Sequence, residues 1–401
     1  MTKEELISDL KDLFGEDNVI TKESRFSQLI REFLYPEHNP LALVKPIEIR
    51  QLNRLLMLIK RHKICGITPR GFGNTFGAYS RDVIVDLTNF NEILEIDESR
   101  YTTTVQTGLV FNHFSEELKK KNLKLPLAPV GNGTIGGFIA YNGFGIGSYK
   151  YGSIRNYLRG VTLLTSKKLV KLGTKNTPPF TSGYNFTDIL AGSMGFFGII
   201  IDVTLGLIPT PELHYDISLT YETIDDPNIE NCMKILNSLK TLNSLSNLTI
   251  ITRSTKRSGE PKNIEIEFLI SLEGSTEMVQ GDNEKLYSLK DIKTEGVDNL
   301  YISDQLKYIS ENLIYSKPFL MYYNDFKESW YKVKDYSIIG HFLSPNECIF
   351  AIIGPSDDRD VKERVYECSK EAYFSKENLP LIKKMKILLD PHNLFQRGML
   401  D

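Results

Sequence analysis

Apolar residues recur every three or four positions at the start of the chain, with Leu6, Leu10 and Leu13 on one face, Thr2 and Glu5 spaced as a capping box, and Gly15 as a stop. This predicts a helix over 2–14. A second helix opens at Pro46, with Ile49, Leu52, Leu56 and Ile59 turned inward and Lys60, Arg61 and Lys63 at its C-terminal end. The period then shortens. Val83 to Leu87 reads as a buried strand, and Ile93 to Ile96 with Thr102 to Thr107 as a hairpin about Glu98-Ser99-Arg100. Phe111 to Lys121 reads as a helix, Val161 to Leu164 and Leu169 to Leu172 as another hairpin, and Phe197 to Leu207 as an apolar strand.

Pro209 and Pro211 mark a boundary, beyond which glycines thin out. The order there is strand Ile217 to Tyr221, helix Ile229 to Leu239, strands Leu248 to Thr252 and Ile264 to Ile270, strand Cys348 to Ile353 and helix Asp360 to Tyr373. That order predicts a split βαβ layer with helices on one side. The expected division is 1–210, 211–373 and a C-terminal segment 374–401, in an α+β chain.

Composition excludes some functions. With 41% hydrophobic and 25% charged residues and a formal net charge of −3, the chain reads as a globular protein with no general attraction to nucleic acid. The first forty residues lack an apolar leader core, and the best apolar run, Ile189 to Ile201, is closed off by Asp188 and Asp202, so no integral membrane segment and a cytoplasmic location are expected. Cys65, Cys232, Cys348 and Cys368 form no Cys-x-x-Cys pair, and the histidines are equally dispersed. No metal site is expected.

The chemistry lies in glycines. Pro69-Arg70-Gly71-Phe72-Gly73-Asn74-Thr75 is one glycine-rich stretch, and 131–152 is a second that holds eight of the 28 glycines. Glycine brings unhindered N–H donors close to an anion, which suits a pyrophosphate. No Asp or Glu occurs from Leu118 to Thr187, whereas eleven Lys and Arg do. The run is either a field for an anionic ligand or a basic outer face.

Gly131-Asn132-Gly133-Thr134-Ile135-Gly136 fits G-x-G-x-x-G, yet a Rossmann site is rejected. The motif should follow a strand, but Pro126 and Pro129 interrupt 125–130, and the acid expected about 20 residues later is missing.

The set of segments instead resembles the FAD-binding family of vanillyl-alcohol oxidase and p-cresol methylhydroxylase (PCMH-type), in the branch of glycolate oxidase and D-lactate dehydrogenase flavin subunits. The segment 69–75 resembles its pyrophosphate loop. Thr134-Ile135-Gly136-Gly137, Asn142-Gly143 and Tyr151-Gly152 resemble its second flavin segment, and Gly192 to Ile200 its third. Leu389-Asp390-Pro391-His392-Asn393-Leu394-Phe395-Gln396-Arg397-Gly398 is similar to the tail that returns to the flavin domain.

The resemblance implies a two-subdomain PCMH-type FAD-binding domain and a smaller ferredoxin-like substrate (cap) domain. FAD is expected against Arg70, Gly71, Phe72, Gly73, Asn74, Thr75, Pro129, Gly131, Thr134, Ile135, Gly136, Gly137, Asn142, Gly143, Tyr151, Gly152, Ile199 and Ile200, with the 135–142 helix offering free N–H groups to the phosphates. Ile199 and Ile200 serve equally as strand core, and Tyr151 equally as a hydrogen bonder at a domain edge. Asn74 occupies the position where some relatives attach flavin through His, so noncovalent FAD is expected. The branch's Gly-Asp-Gly-Asn-x-His metal motif is not in the sequence, and Met194 replaces a common acid.

The implied activity is hydride transfer to flavin N5 from a small 2-hydroxy acid or related alcohol, with electrons leaving to a separate acceptor protein, subunit or small molecule. Four residues are candidates for the chemistry. His341 could take the hydroxyl proton or simply pack among apolar neighbours, Arg397 could bind a carboxylate or remain solvated, and Tyr322 and Tyr323 could line a pocket or pack. Two alternatives are a noncatalytic subunit of a glycolate-oxidase-like complex and a non-redox or NADPH-dependent member of the superfamily.

Overall fold

The computed structural model describes residues 2–21, 40–63, 65–72, 83–129, 133–143, 145–173, 185–224, 229–255, 263–288, 293–297, 319–322, 337–345, 347–353 and 379–395. The opening helix is Lys3–Phe14. Thr2 Oγ1 accepts from the Glu5 amide and Glu5 accepts in return from the Thr2 amide, so the capping box is closed. Such a cap stabilises a helix by about 1 kcal/mol.

The helix at Ile49–His62 starts later than Pro46 and is capped by Glu48 and Gln51. Both helices cover a four-stranded sheet in the order Val19–Thr21, Ala42–Val44, Val83–Asp86, Ile67–Arg70. Leu6, Leu10, Leu52, Leu55 and Ile59 pack there against Ile67, Val83 and Val85. Phe395, from the far end of the chain, is in the same core and bridges to Ile67 in parallel.

A five-stranded antiparallel sheet follows, in the order Leu169–Gly173, Leu158–Leu164, Ile199–Gly206, Thr102–Gln106, Ile93–Asp97. Both predicted hairpins lie in it. Phe111–Lys119 and Ile135–Ala140 supply Phe111, Phe114, Phe138 and Ile139 to its core.

The third sheet is wider than the sequence pattern predicts. Seven antiparallel strands run in the order Lys293–Val297, Leu213–Ile224, Asn263–Gly274, Leu245–Thr255, Ser337–Ser344, Glu347–Ile353, Phe319–Tyr322. Ile217, Leu219, Leu248, Ile250, Ile266, Phe268, Ile270 and Phe342 face the helices Ile229–Leu239 and Thr276–Tyr287. Alternation sends His214, Asp216, Asn247, Thr249, Glu267, Ser271, Glu273 and His341 to the opposite face. That face is polar but largely buried, with Asn247 and Thr249 fully enclosed. The helix expected over Asp360–Tyr373 lies outside the described residues. Among those described, no helix is long and apolar enough to cross a membrane.

Candidate flavin site

Three glycine segments converge at one place. The strand Ile67–Arg70 delivers Gly71 so close to the second segment that a Cβ there would meet Thr134 Oγ1 at 2.1 Å. A Cβ on Gly195 would lie 3.0 Å from Pro69, and one on Gly192 3.3 Å from the Asn142 side chain. The third segment therefore touches both of the others. Gly192, Gly195 and Asn142 hold positive φ, which makes glycine the low-cost residue at the first two.

Thr134 caps the helix Ile135–Ala140, its Oγ1 accepting from the Gly137 amide at 3.2 Å. The neighbouring amides are also spent: Ile135 N–H donates to Leu109 O and Gly136 N–H to Thr107 O. The expected row of free first-turn donors is thus replaced by bonds to the loop 107–109. That loop lies against Gly136, where a Cβ would meet Thr107 Cβ at 2.6 Å.

After the helix, Asn142 stands at φ 53 with its side-chain oxygen buried and unpartnered. Gly143 presses on the Phe138 ring, and Pro129 pairs with Gly145 in a short ladder. Arg70 is half-buried, its guanidinium donates to Phe72 O at 3.0 Å, and partial burial lowers its pKa against the opposing pull of Asp86. Ile199 and Ile200 spend their side chains on two different cores, while Ile200 O accepts from Thr107 Oγ1. Gly73, Asn74, Thr75, Gly131, Tyr323 and Arg397 lie outside the described residues.

The polar sheet face meets this region at 145–151. His341 Nε2 lies 2.9 Å from Gly145 O, and Thr249 Oγ1 lies 2.8 Å from His341 Nδ1. A carbonyl can only accept, so Nε2 carries the proton and Nδ1 accepts from Thr249. Burial lowers the ring to about 4, partly offset by Gly145 O, so it is neutral with both nitrogens committed. No nitrogen of His341 is open to a substrate hydroxyl.

Lys124 and Lys150 account for part of the acid-free run. Lys124 Nζ contacts Glu273 Oε2 at 2.6 Å, and Lys150 Nζ donates to Glu273 O at 2.8 Å. Arg155 donates to Ala191 O. These cations grip protein groups, and the acid that answers them arrives from the third sheet. Burial would raise Glu273, but hydrogen bonding from His214 and the charge of Lys124 outweigh it and hold the carboxyl at about 2. Burial likewise opposes protonation of His214, and Asp216 and Glu273 overcome it, raising the ring to about 9. Tyr151 sits at this edge, raised by burial and by Glu273.

Residues 40–171 match the family described as FAD binding domain. The fold matches p-cresol methylhydroxylase at TM-score 0.74 and 16% identity, covering 99% of this chain and 96% of that one. The fold is of the PCMH type, and residues 40–171 within it match an FAD-binding domain. A similar fold is found in alkyldihydroxyacetonephosphate synthase, at TM-score 0.75 and 16% identity over 99% of this chain and 85% of that one.

Among curated relatives, the D-lactate dehydrogenase of Anaerostipes hadrus is 32% identical over 199 residues, 48% of this chain and 42% of that protein. The glycolate oxidase subunit GlcD of Bacillus subtilis is 28% identical over 261 residues, 62% and 55% of the two chains. A D-2-hydroxyglutarate dehydrogenase of Stutzerimonas stutzeri is 26% identical over 246 residues, 59% and 52%. The chain spans about half the length of these relatives.

The residues of the FAD-binding domain suit that cofactor in two respects. The glycine contacts leave no room for side chains between the segments, and the Asn142 oxygen is a buried acceptor without a protein donor. Sequence reasoning did not find Glu273, His214, Asp216 or Lys386, and named Asp390 only as a member of the tail. A signal for Glu273 existed in the alternation Glu265, Glu267, Leu269, Ser271, Glu273, which marks one face of a strand.

Proposed function

We propose that the chain is an FAD-linked oxidoreductase acting on the CH–OH group of a small 2-hydroxy acid. The observation that carries this reading is the close approach of Gly71 to Thr134, of Gly192 to Asn142 and of Gly195 to Pro69, which brings the three glycine segments together beside the polar face of the third sheet. The relatives, named for D-lactate, glycolate and D-2-hydroxyglutarate, support the substrate class.

Residues 1–210 hold the cofactor in this reading, 211–373 form the cap, and 374–401 return to the FAD-binding domain. The segments at 70–75 and 134–137 flank the pyrophosphate, Asn142 offers its buried oxygen to a ring N–H, and Asn74 leaves the cofactor noncovalent. Bound FAD supplies a two-electron acceptor for the hydride of the donor carbon. The chain contributes position: Lys124, Lys150 and His341 seat the polar face of the cap on 145–151, which excludes water from the junction. Arg397 is assigned to a substrate carboxylate and Tyr323 to the pocket wall. His341 Nε2 keeps its proton against Gly145 O and positions the cap.

The experiment is anaerobic mixing of the flavin-loaded chain with D-lactate, glycolate and D-2-hydroxyglutarate while its visible absorbance is followed. Bleaching by at least one is expected. If none bleaches flavin that dithionite reduces readily, the hydroxy-acid reading is abandoned.

One relative is named as a subunit, which favours a partner that receives the electrons. A catalytic chain with a separate acceptor bleaches alone and turns over only with an added dye or partner. A noncatalytic subunit does neither.

A further inference from the structure

The C-terminal return is anchored by a single buried ammonium. Lys386, on the helix Leu379–Leu389, is 7% exposed and has each of its three donors engaged. Its Nζ lies 2.7 Å from Phe196 O, 2.6 Å from Phe395 O and 2.7 Å from Asp390 Oδ2, and 4.2 Å from the centre of the Phe196 ring. Asp390 Oδ2 also accepts from the Phe395 amide at 2.9 Å.

The two carbonyls belong to chain segments that touch the strand before the first glycine loop. Phe196 follows Gly195, which rests on Pro69. Phe395 bridges to Ile67, and the Ile67 amide donates to Leu394 O. Strand Ile67–Arg70, which presents Gly71 to Thr134, is therefore contacted by two chain segments that one ammonium ties together.

Stability alone is a weak reason for such an arrangement, because burying an ion pair costs several kcal/mol of desolvation that its attraction often only offsets. Here the cost is incompletely met, since Asp390 Oδ1 is buried without a partner. What the ammonium does supply is geometry. Three acceptors, one on the third glycine segment and two on the C-terminal tail, meet around one compact point donor, which the planar fork of Arg would not satisfy.

We propose that Lys386 is a positioning residue for FAD binding, fixing the third glycine segment and the C-terminal tail against strand Ile67–Arg70 so that the cofactor loops meet in register. The inference rests on the FAD-binding reading and adds a residue outside every flavin-like motif in the sequence. It assigns Lys386 no contact with substrate or cofactor.

The test uses the full chain stripped of flavin and titrated with FAD, read by flavin fluorescence and visible circular dichroism. Lys386→Met with Asp390→Leu replaces the pair by apolar side chains of similar size, an exchange that other buried pairs tolerate. The expected result is a melting temperature close to wild type, FAD affinity weakened roughly ten-fold or more, and an altered flavin dichroism. Leu388→Ser, at an exposed site on the same helix, should leave affinity unchanged. FAD affinity within about two-fold of wild type in a folded double variant overturns the proposal.

If the double variant does not fold, hydrogen exchange on the wild-type chain decides. FAD should protect 67–71, 196–198 and 394–395 together, and protection of 67–71 without 394–395 overturns the idea. A wild-type chain that takes up no FAD refutes the flavin reading itself, whereas normal wild-type binding with an unaffected double variant refutes only the role of Lys386.

Discussion

Lys124 Nζ and Glu273 Oε2 lie 2.6 Å apart and join the acid-free part of the chain to the third sheet. Glu273 is 2% exposed and Lys124 only 28%, so water screens the pair weakly. Glu273→Gln leaves Lys124 and His214 without their shared carboxylate. We expect a loss of about 3 kcal/mol, as for other buried pairs broken on one side. Urea denaturation checks it, and a loss below about 0.5 kcal/mol would show that the junction is wetter than described.

Stability should peak near pH 6.5. His214 is raised from 6.5 to about 9, so its contribution is complete below 6.5 and disappears as pH rises through 9. His341 is lowered from 6.5 to about 4, so stability falls as pH drops from 6.5 through 4, where the unfolded chain takes up the proton first. Glu273 adds a further loss between 4.5 and about 2. Melting temperatures across pH 3–10 should flatten above 6.5 in His214→Gln and between 4 and 6.5 in His341→Gln. Unchanged limbs in those variants would disprove the assignment.

His341→Gln should also distinguish support from proton transfer. Removing the ring leaves Thr249 Oγ1 and Gly145 O short of their partner, a cost of about 1–3 kcal/mol. The pH profile of substrate-driven flavin reduction should keep its shape. A vanished ionisation between pH 5 and 8 would restore His341 as the base.

Gly136→Ala places a methyl 2.6 Å from Thr107 Cβ and 2.8 Å from Thr107 O. Backbone cannot step aside cheaply, so we expect about 1–3 kcal/mol of destabilisation and weaker FAD uptake. Gly133→Ala is the matched control, because among the described residues no heavy atom beyond its chain neighbours lies within 4 Å of its Cβ position. Equal melting temperatures for the two variants would show that the helix shifts freely.

Acid precipitation of the flavin-loaded chain should leave all the yellow colour in the supernatant. Asn74 offers no ring nitrogen for a flavin bond. Colour retained in the washed pellet would reveal a covalent link elsewhere.

Local features were legible where local physics fixes them. The Thr2 and Glu5 box, the hairpin at Glu98-Ser99-Arg100 and the glycine segments each declare themselves within a few residues. The width of the third sheet did not, because Lys293–Val297 contains a glycine and two charges and has no apolar run. The junction was hidden for a different reason. Lys124 meets Glu273 across 149 positions, Lys386 meets Phe196 across 190, and His341 meets Gly145 across 196, distances at which no periodicity carries information.

Phe395 completes a core whose other members were synthesised first, among them Leu6, Leu52 and Ile67. During translation this core thus waits, its hydrophobic interior incomplete, while the nearly two hundred residues between Ile201 and Leu394 emerge. Vectorial folding from the amino terminus cannot finish it, and a nascent chain stalled after the third sheet would offer chaperones an open apolar cleft.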